Sequence, residues 1–191
     1  CGENVNQVDL LPQVDAVKDK GYEILYLTEN VDEFVFKTLM NYEEKTFKNI
    51  CTDELDMDSD EEKEKLKKEN ESNKAMFDLM KEAIKDQVKE IRFTHRLKNH
   101  PVCLISEGNI TLEMQKVMNA LPNSQDIQAE IVLEINTSHP IANKIKDLYE
   151  NDKDTLKEYT KILYAQARLI EGLGVDNPTE LSNLICNMMI K

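Results

Sequence analysis

Apolar residues recur along this chain with two different periods, and the switches between them divide it into elements. Residues 11–20 carry helical spacing, with Pro12 near the start and Gly21 closing the helix. Residues 23–28 (EILYLT) read as an apolar strand buried on both faces. Residues 30–39 read as a helix with Asn30 and Glu33 as a capping-box pair and Val31, Phe34, Val35 and Leu39 on its inner face. Residues 46–51 return as a strand. Helix-strand-helix-strand makes an α/β layer, but one too small to cover itself. The rest of the layer is expected in sequence preceding Cys1.

The pattern then turns polar. Between residues 53 and 71 there are ten acidic and four basic side chains, the signature of a solvated linker and an exposed helix start. A helical stripe of Phe77, Met80, Ile84 and Val88 follows. From Lys89 the period becomes two, with Ile91, Phe93, His95 and Leu97 alternating against Arg92, Thr94 and Arg96 as a half-buried strand. After a turn at Asn99-His100-Pro101, residues 102–106 form a strand apolar on both faces, expected at the sheet centre. Gly108-Asn109 open a short helix at 110–121. Residues 129–136 form a third strand with Ile131, Leu133 and Ile135 on one side, and a helix occupies 139–149. The predicted class is α+β: a small three-stranded sheet with helices, preceded by a partial α/β layer. The expected division is 1–57 for that layer, 58–75 for the charged linker and helix start, and 76–191 for the second domain.

Two amphipathic helices close the chain. Residues 154–171 place Leu156, Tyr159, Leu163, Ala167 and Ile170 at three- and four-residue steps. After Gly172, Gly174 and the start signal Asn177-Pro178, a second helix aligns Leu181, Leu184, Ile185 and Met188. An antiparallel pair buries one seam, yet Ile162, Leu169, Met189 and Ile190 widen the apolar surface beyond it, next to Lys191. A second copy of the pair would make an intermolecular four-helix bundle. Those nine stripe residues are the candidate dimer interface.

Composition narrows the functions. A net charge of −13 and a pI near 4.7 argue against nucleic acid, which needs clustered Lys and Arg, and against anionic membranes. No apolar run approaches the roughly 20 residues that span a bilayer. Four cysteines, Cys1, Cys51, Cys103 and Cys186, lie far apart with no C-x-x-C, which suits free thiols in a reducing, cytoplasmic compartment. The opening Cys-Gly-Glu, without an initiator Met, suggests a piece of something longer.

Reaction chemistry finds little support. Five glycines form neither phosphate-cradling motif, and G-x-S-x-G and H-E-x-x-H are missing from the sequence. Asp56-x-Asp58-x-Asp60 has the opening of a calcium loop, but the glycine position is Glu61 and the twelfth is Lys67, so it is rejected. His95 reads as a core histidine, His100 as a turn residue and Cys103 as a small buried hydrophobe. A thiol enzyme pairing Cys103 with a histidine remains a rival, as does a passive dimeric scaffold. In the short helix, Ile110, Met114, Val117 and Met118 form a stripe, continued by Leu121, away from Glu113, Gln115 and Lys116. Such a stripe is either core or an adaptable exposed surface, since methionine repacks readily. Asn109 and the following Pro122-Asn123-Ser124 favour exposure.

The segment Leu133-Glu134-Ile135-Asn136-Thr137-Ser138-His139-Pro140-Ile141 resembles the strand-to-helix signature in the C-terminal domain of the heat-shock-protein-90 chaperones. Residues 21–27 with Asp32-Glu33-Phe34 are similar to the end of that family's middle domain. Arg96-Leu97 with His100-Pro101-Val102-Cys103 resembles its first C-terminal hairpin, and residues 165–169, Gly172 and Asp176-Asn177-Pro178 resemble its terminal helices. The resemblance runs in order through essentially the whole chain; with no MEEVD-type tail the chain departs from the eukaryotic cytosolic members, and the bacterial branch fits best, ahead of a mitochondrial relative. The resemblance implies an ATP-dependent chaperone homodimer, of which this chain matches the last part of the middle domain and the C-terminal dimerisation domain. The ATP-binding domain is unmatched, so no catalysis, cofactor or metal is expected here, with ATP and magnesium belonging to the full-length parent. By resemblance the terminal pair builds the dimer bundle. Ile110, Met114, Val117 and Met118 carry a surface for unfolded or partly folded clients.

Overall fold

The computed structural model describes residues 1–53, 55, 58–122 and 127–190. Asp56 of the rejected calcium loop, Asn123-Ser124 after the short helix, and Lys191 lie outside them. Helix α1 (Val5–Asp9) is capped by Asn4, whose side chain accepts from Gln7 N, and α2 (Pro12–Asp19) begins on proline and buries Val14 and Val17. Residues 23–28, expected as a strand, join no ladder among the described residues. A strand needs a neighbouring strand for its N–H and C=O groups, and this segment has isolated bonds instead: Gly2 N donates to Leu27 O, and Thr28 N donates to the Asp32 carboxylate. Ile24 and Tyr26 pack on Val8, Leu11 and Val14, while Tyr22 and Leu25 face water.

Helix α3 (Asp32–Leu39) also departs from expectation. Val31, Val35 and Leu39 are exposed, and the buried residue is Glu33. The expected Asn30–Glu33 capping pair does not form; instead Asp32 accepts from the backbone N–H of Thr28 and Glu29. The strand expected at 46–51 shrinks to one arm of a hairpin, β1 (Asn41–Tyr42) against β2 (Lys45–Thr46). Its two-residue turn puts both Glu43 and Glu44 at positive φ, as a hairpin of that length demands.

The acidic stretch becomes α4 (Asp60–Ser72), opened by a complete Ser59–Glu62 capping box and burying no residue. Asn70 near its end clamps β3, donating to Phe93 O and accepting from Phe93 N. Helix α5 (Lys74–Ala83) supplies Met76, Phe77 and Met80 to the core. The sheet follows as β3 (Glu90–Thr94), β4 (Val102–Glu107) and β5 (Glu130–Asn136), in the order β3-β5-β4. The central strand is therefore β5, parallel to β3 and antiparallel to β4, and not the more apolar β4. Strand β4 lies at an edge that the N-terminal segment covers: Gln13 Nε2 donates to Leu104 O, and Ser106 N donates to Cys51 O. His95 falls just past β3 and is half-buried, its Nδ1 3.1 Å from Asp58 Oδ2, so it is no core histidine.

Between β4 and β5 lies α6 (Leu112–Asn119). Helix α7 (Pro140–Asn151) starts where His139 Nδ1 accepts from Ile141 N, and it leads into α8 (Lys153–Ile170) and α9 (Pro178–Met189). The main core gathers Met80, Phe93, Leu133, Ile135, Ile145 and Leu156, with Phe77 and Phe93 edge-to-face at 5.0 Å. No described helix is long and apolar enough to cross a membrane.

Candidate functional site

The two terminal helices differ sharply in what they bury. Leu156, Leu163 and Ala167 of α8 lie inside the chain's own core, at 0%, 4% and 0% exposure. They hold α8 against the sheet and are not available to a partner, which corrects their place in the expected interface. Tyr159 packs on the same core, and Ile170 packs on the Val8-Leu11-Val14 cluster. Helix α9, by contrast, buries none of its residues. Leu181, Leu184 and Met188 are half-buried, and Ile185 is exposed beside Met189 and Ile190, which are 79% and 85% exposed. Polar contacts at its start fix its position. Asn177 caps it, Lys161 Nζ reaches Glu180 at 2.7 Å, and Asp176 accepts from Arg168 and Gln87. The apolar side of α9, with Leu169 of α8, is thus held in place but only partly covered.

The second candidate surface surrounds α6. The start signal is Thr111, not Gly108-Asn109: its hydroxyl accepts from Met114 N at 3.0 Å and donates to Glu33 Oε2 at 2.8 Å. Glu33, 8% exposed, also accepts from Asn49 Nδ2, so α3 grips the start of α6. Lys37 adds a bond to Asn109 O and lies 3.7 Å from the Met114 sulfur. On the far side Lys116 Nζ donates to Glu113 and to Glu171 O, and Gln115 accepts from Ala129 N. Leu112, absent from the predicted stripe, is buried with Met114, while Ile110, Val117 and Met118 are half-buried and Leu121 is exposed. Glu33 escaped the sequence reading because a glutamate three residues after an Asn looks like a cap. Only the fold shows that Thr111 sits opposite it.

Behind these surfaces a charged cluster ties the N-terminal segment to the sheet. Glu134, 3% exposed, accepts from Arg92 Nε and Nη2 and from Arg96 Nε. Arg96 Nη1 continues to the carbonyls of Ile50 and Asp53. Two guanidinium groups on one carboxylate satisfy charges that would be costly to bury alone. Cys103 lies on the same face, fully buried, with its sulfur 3.9 Å from Glu134 Oε2. Burial, aided by the Glu134 charge, pushes its thiol well above the ordinary range, so it holds its proton. Burial also lifts Cys51 to about 12. Among the described residues no three His, Cys, Asp or Glu side chains are placed to hold a metal.

What the described residues offer, then, is surface: a partly covered helix side and a methionine-bearing helix held at its start. The family model for Hsp90 protein matches residues 1–191, and this chain belongs to the Hsp90 family of chaperones. Its relatives include the "Chaperone protein HtpG" of Clostridium perfringens (strain 13 / Type A), 50% identical over 188 residues, and that of Bacillus subtilis (strain 168), 46% identical over 189. The protein of the same name from Natranaerobius thermophilus is 48% identical over 188 residues. These matches cover 98%, 99% and 98% of this chain and 30% of each relative, so the chain spans about a third of their length.

Proposed function

We propose that this chain is the self-association and client-contact part of an HtpG-type cytoplasmic chaperone that assists protein folding. Two copies join through the apolar side of α9 and the adjoining outward side of α8, where Leu181, Leu184, Ile185, Met188 and Leu169 meet their counterparts. The observation that carries this reading is the geometry of α9: an amphipathic helix of 12 residues, capped and ion-paired in place, with nothing buried. Its apolar side would gain roughly 25 cal/mol for each Å² removed from water. The half-buried members of α6 (Ile110, Val117 and Met118), over a Met114 anchor, contact unfolded or partly folded clients. ATP and magnesium belong to the parent protein's other regions, and this part carries out no chemistry itself. Holding two protomers together raises the effective concentration of whatever else each carries.

Leu184→Asp tests the association surface. A carboxylate in a desolvated seam costs several kcal/mol, so the molar mass measured by light scattering should fall to that of one chain, while circular dichroism shows the chain still folded and its unfolding midpoint no longer depends on protein concentration. A variant that still scatters as a dimer would remove α9 from the interface.

A further inference from the structure

We infer that the client surface at α6 selects apolar segments flanked by Lys or Arg; this rests on the client-contact reading above. Beside α6 lies a small, shallow cleft, open to solvent, between the helix and residues 27–34. Its apolar lining comes from Leu27, Phe34, Met114 and Val117. Its charged lining is of one sign: Glu3, Glu29, Glu33 and Glu113 border it, and no Lys or Arg does. Glu33 is occupied by Thr111 and Asn49, and Glu113 by Lys116. Lys37, next to Met114, donates to Asn109 O. Glu3 and Glu29 are exposed and form no ion pair among the described residues.

The cleft is held open from both sides. Asp32 accepts from the N–H groups of Thr28 and Glu29, fixing the turn that carries Glu29, and the Glu33–Thr111 bond fixes the start of α6. An apolar side chain at the cleft would meet Met114 and Val117 while its neighbours in the same segment pass the carboxylates of Glu3 and Glu29. A cation there gains attraction, and an anion meets repulsion that the net charge of −13 reinforces. The occupant that fits is therefore a short apolar stretch with basic flanks, and an acidic-flanked stretch is excluded.

Three labelled peptides sharing one Leu- and Phe-rich core, flanked by Lys, Ser or Glu, would test this against the intact chain by fluorescence anisotropy in 50 mM and 500 mM salt. The Lys-flanked peptide should bind about three- to tenfold more tightly than the Glu-flanked one at low salt, the gain of one or two exposed ion pairs. High salt, and the double variant Glu3→Gln/Glu29→Gln, should each bring the ratio close to one. Val117→Ser should weaken all three peptides alike. Equal binding of all three would overturn the charge selection and leave client contact standing. Binding of none would overturn both, and a Lys preference that survives the double variant would place the selecting charges elsewhere.

Discussion

Replacing Glu171 by glutamine should remove a pH dependence from the stability of this protein. Glu171 follows the last turn of α8, where the N-terminal segment, α6 and α8 meet. Burial raises its carboxyl from the ordinary 4.5 to about 7, against the donation from Gln13 Nε2 and the nearby Lys116 ammonium, which favour the ionised form. The C-terminal end of a helix is itself electronegative and adds to the cost of a carboxylate. In the unfolded chain the same group ionises near its ordinary value. Between those two values the folded protein therefore holds a proton that the unfolded one lacks, so stability falls as pH rises and levels off above about 7. At roughly 1.4 kcal/mol per pH unit the full effect is at most about 3.5 kcal/mol. Urea unfolding at pH 5 and pH 8 measures it. Wild type and Glu171→Gln should be similar at pH 5, with the variant more stable at pH 8, because an amide still accepts from Gln13 without a charge to bury. Parallel pH dependences in the two proteins would refute the reasoning.

Leu156→Ala should cost about 2–5 kcal/mol in unfolding free energy, because Leu156 is fully buried between α8 and the sheet; a loss below about 1 kcal/mol by denaturant titration would move α8 out of the core. Thiol labelling of the native chain should modify the exposed Cys186 quickly and Cys103 only on unfolding. Rapid labelling of Cys103 would reopen the thiol-enzyme alternative.

Elements that satisfy themselves locally were legible in the sequence. The stripe Phe77, Met80, Ile84 and Val88 is buried as its spacing indicated, and the alternation of Ile91 and Phe93 pairs in register with Leu133 and Ile135. The helix expected at 139–149 appears as α7, starting one residue later at Pro140 with His139 as its cap. Features that depend on distant partners were not. An apolar run such as residues 23–28 shows that a segment can extend, but not whether another strand lies beside it. Strand β4 resembles a central strand because it is apolar on both faces; its burial instead comes from α8 and from the N-terminal segment over its edge. The same ambiguity affects the terminal stripe. Periodicity put Leu156 and Leu184 in one class, and only the packing shows that the first faces the chain's own sheet.

That distinction decides how the central claim is tested. A chain ending near Asn151 would lose α8 and the core residues it supplies, so its behaviour would confuse unfolding with dissociation. The cut belongs after Gly174, which keeps α8 and the half-buried Leu173 packed on the core and removes only α9 and its lead-in. Sedimentation equilibrium of the intact chain and of residues 1–174, across concentrations from about 1 to 100 µM, is the most direct measurement. The account predicts a dimer for the intact chain and a folded monomer for the shortened one. A monomeric intact chain, or a shortened chain that still dimerises, would contradict it.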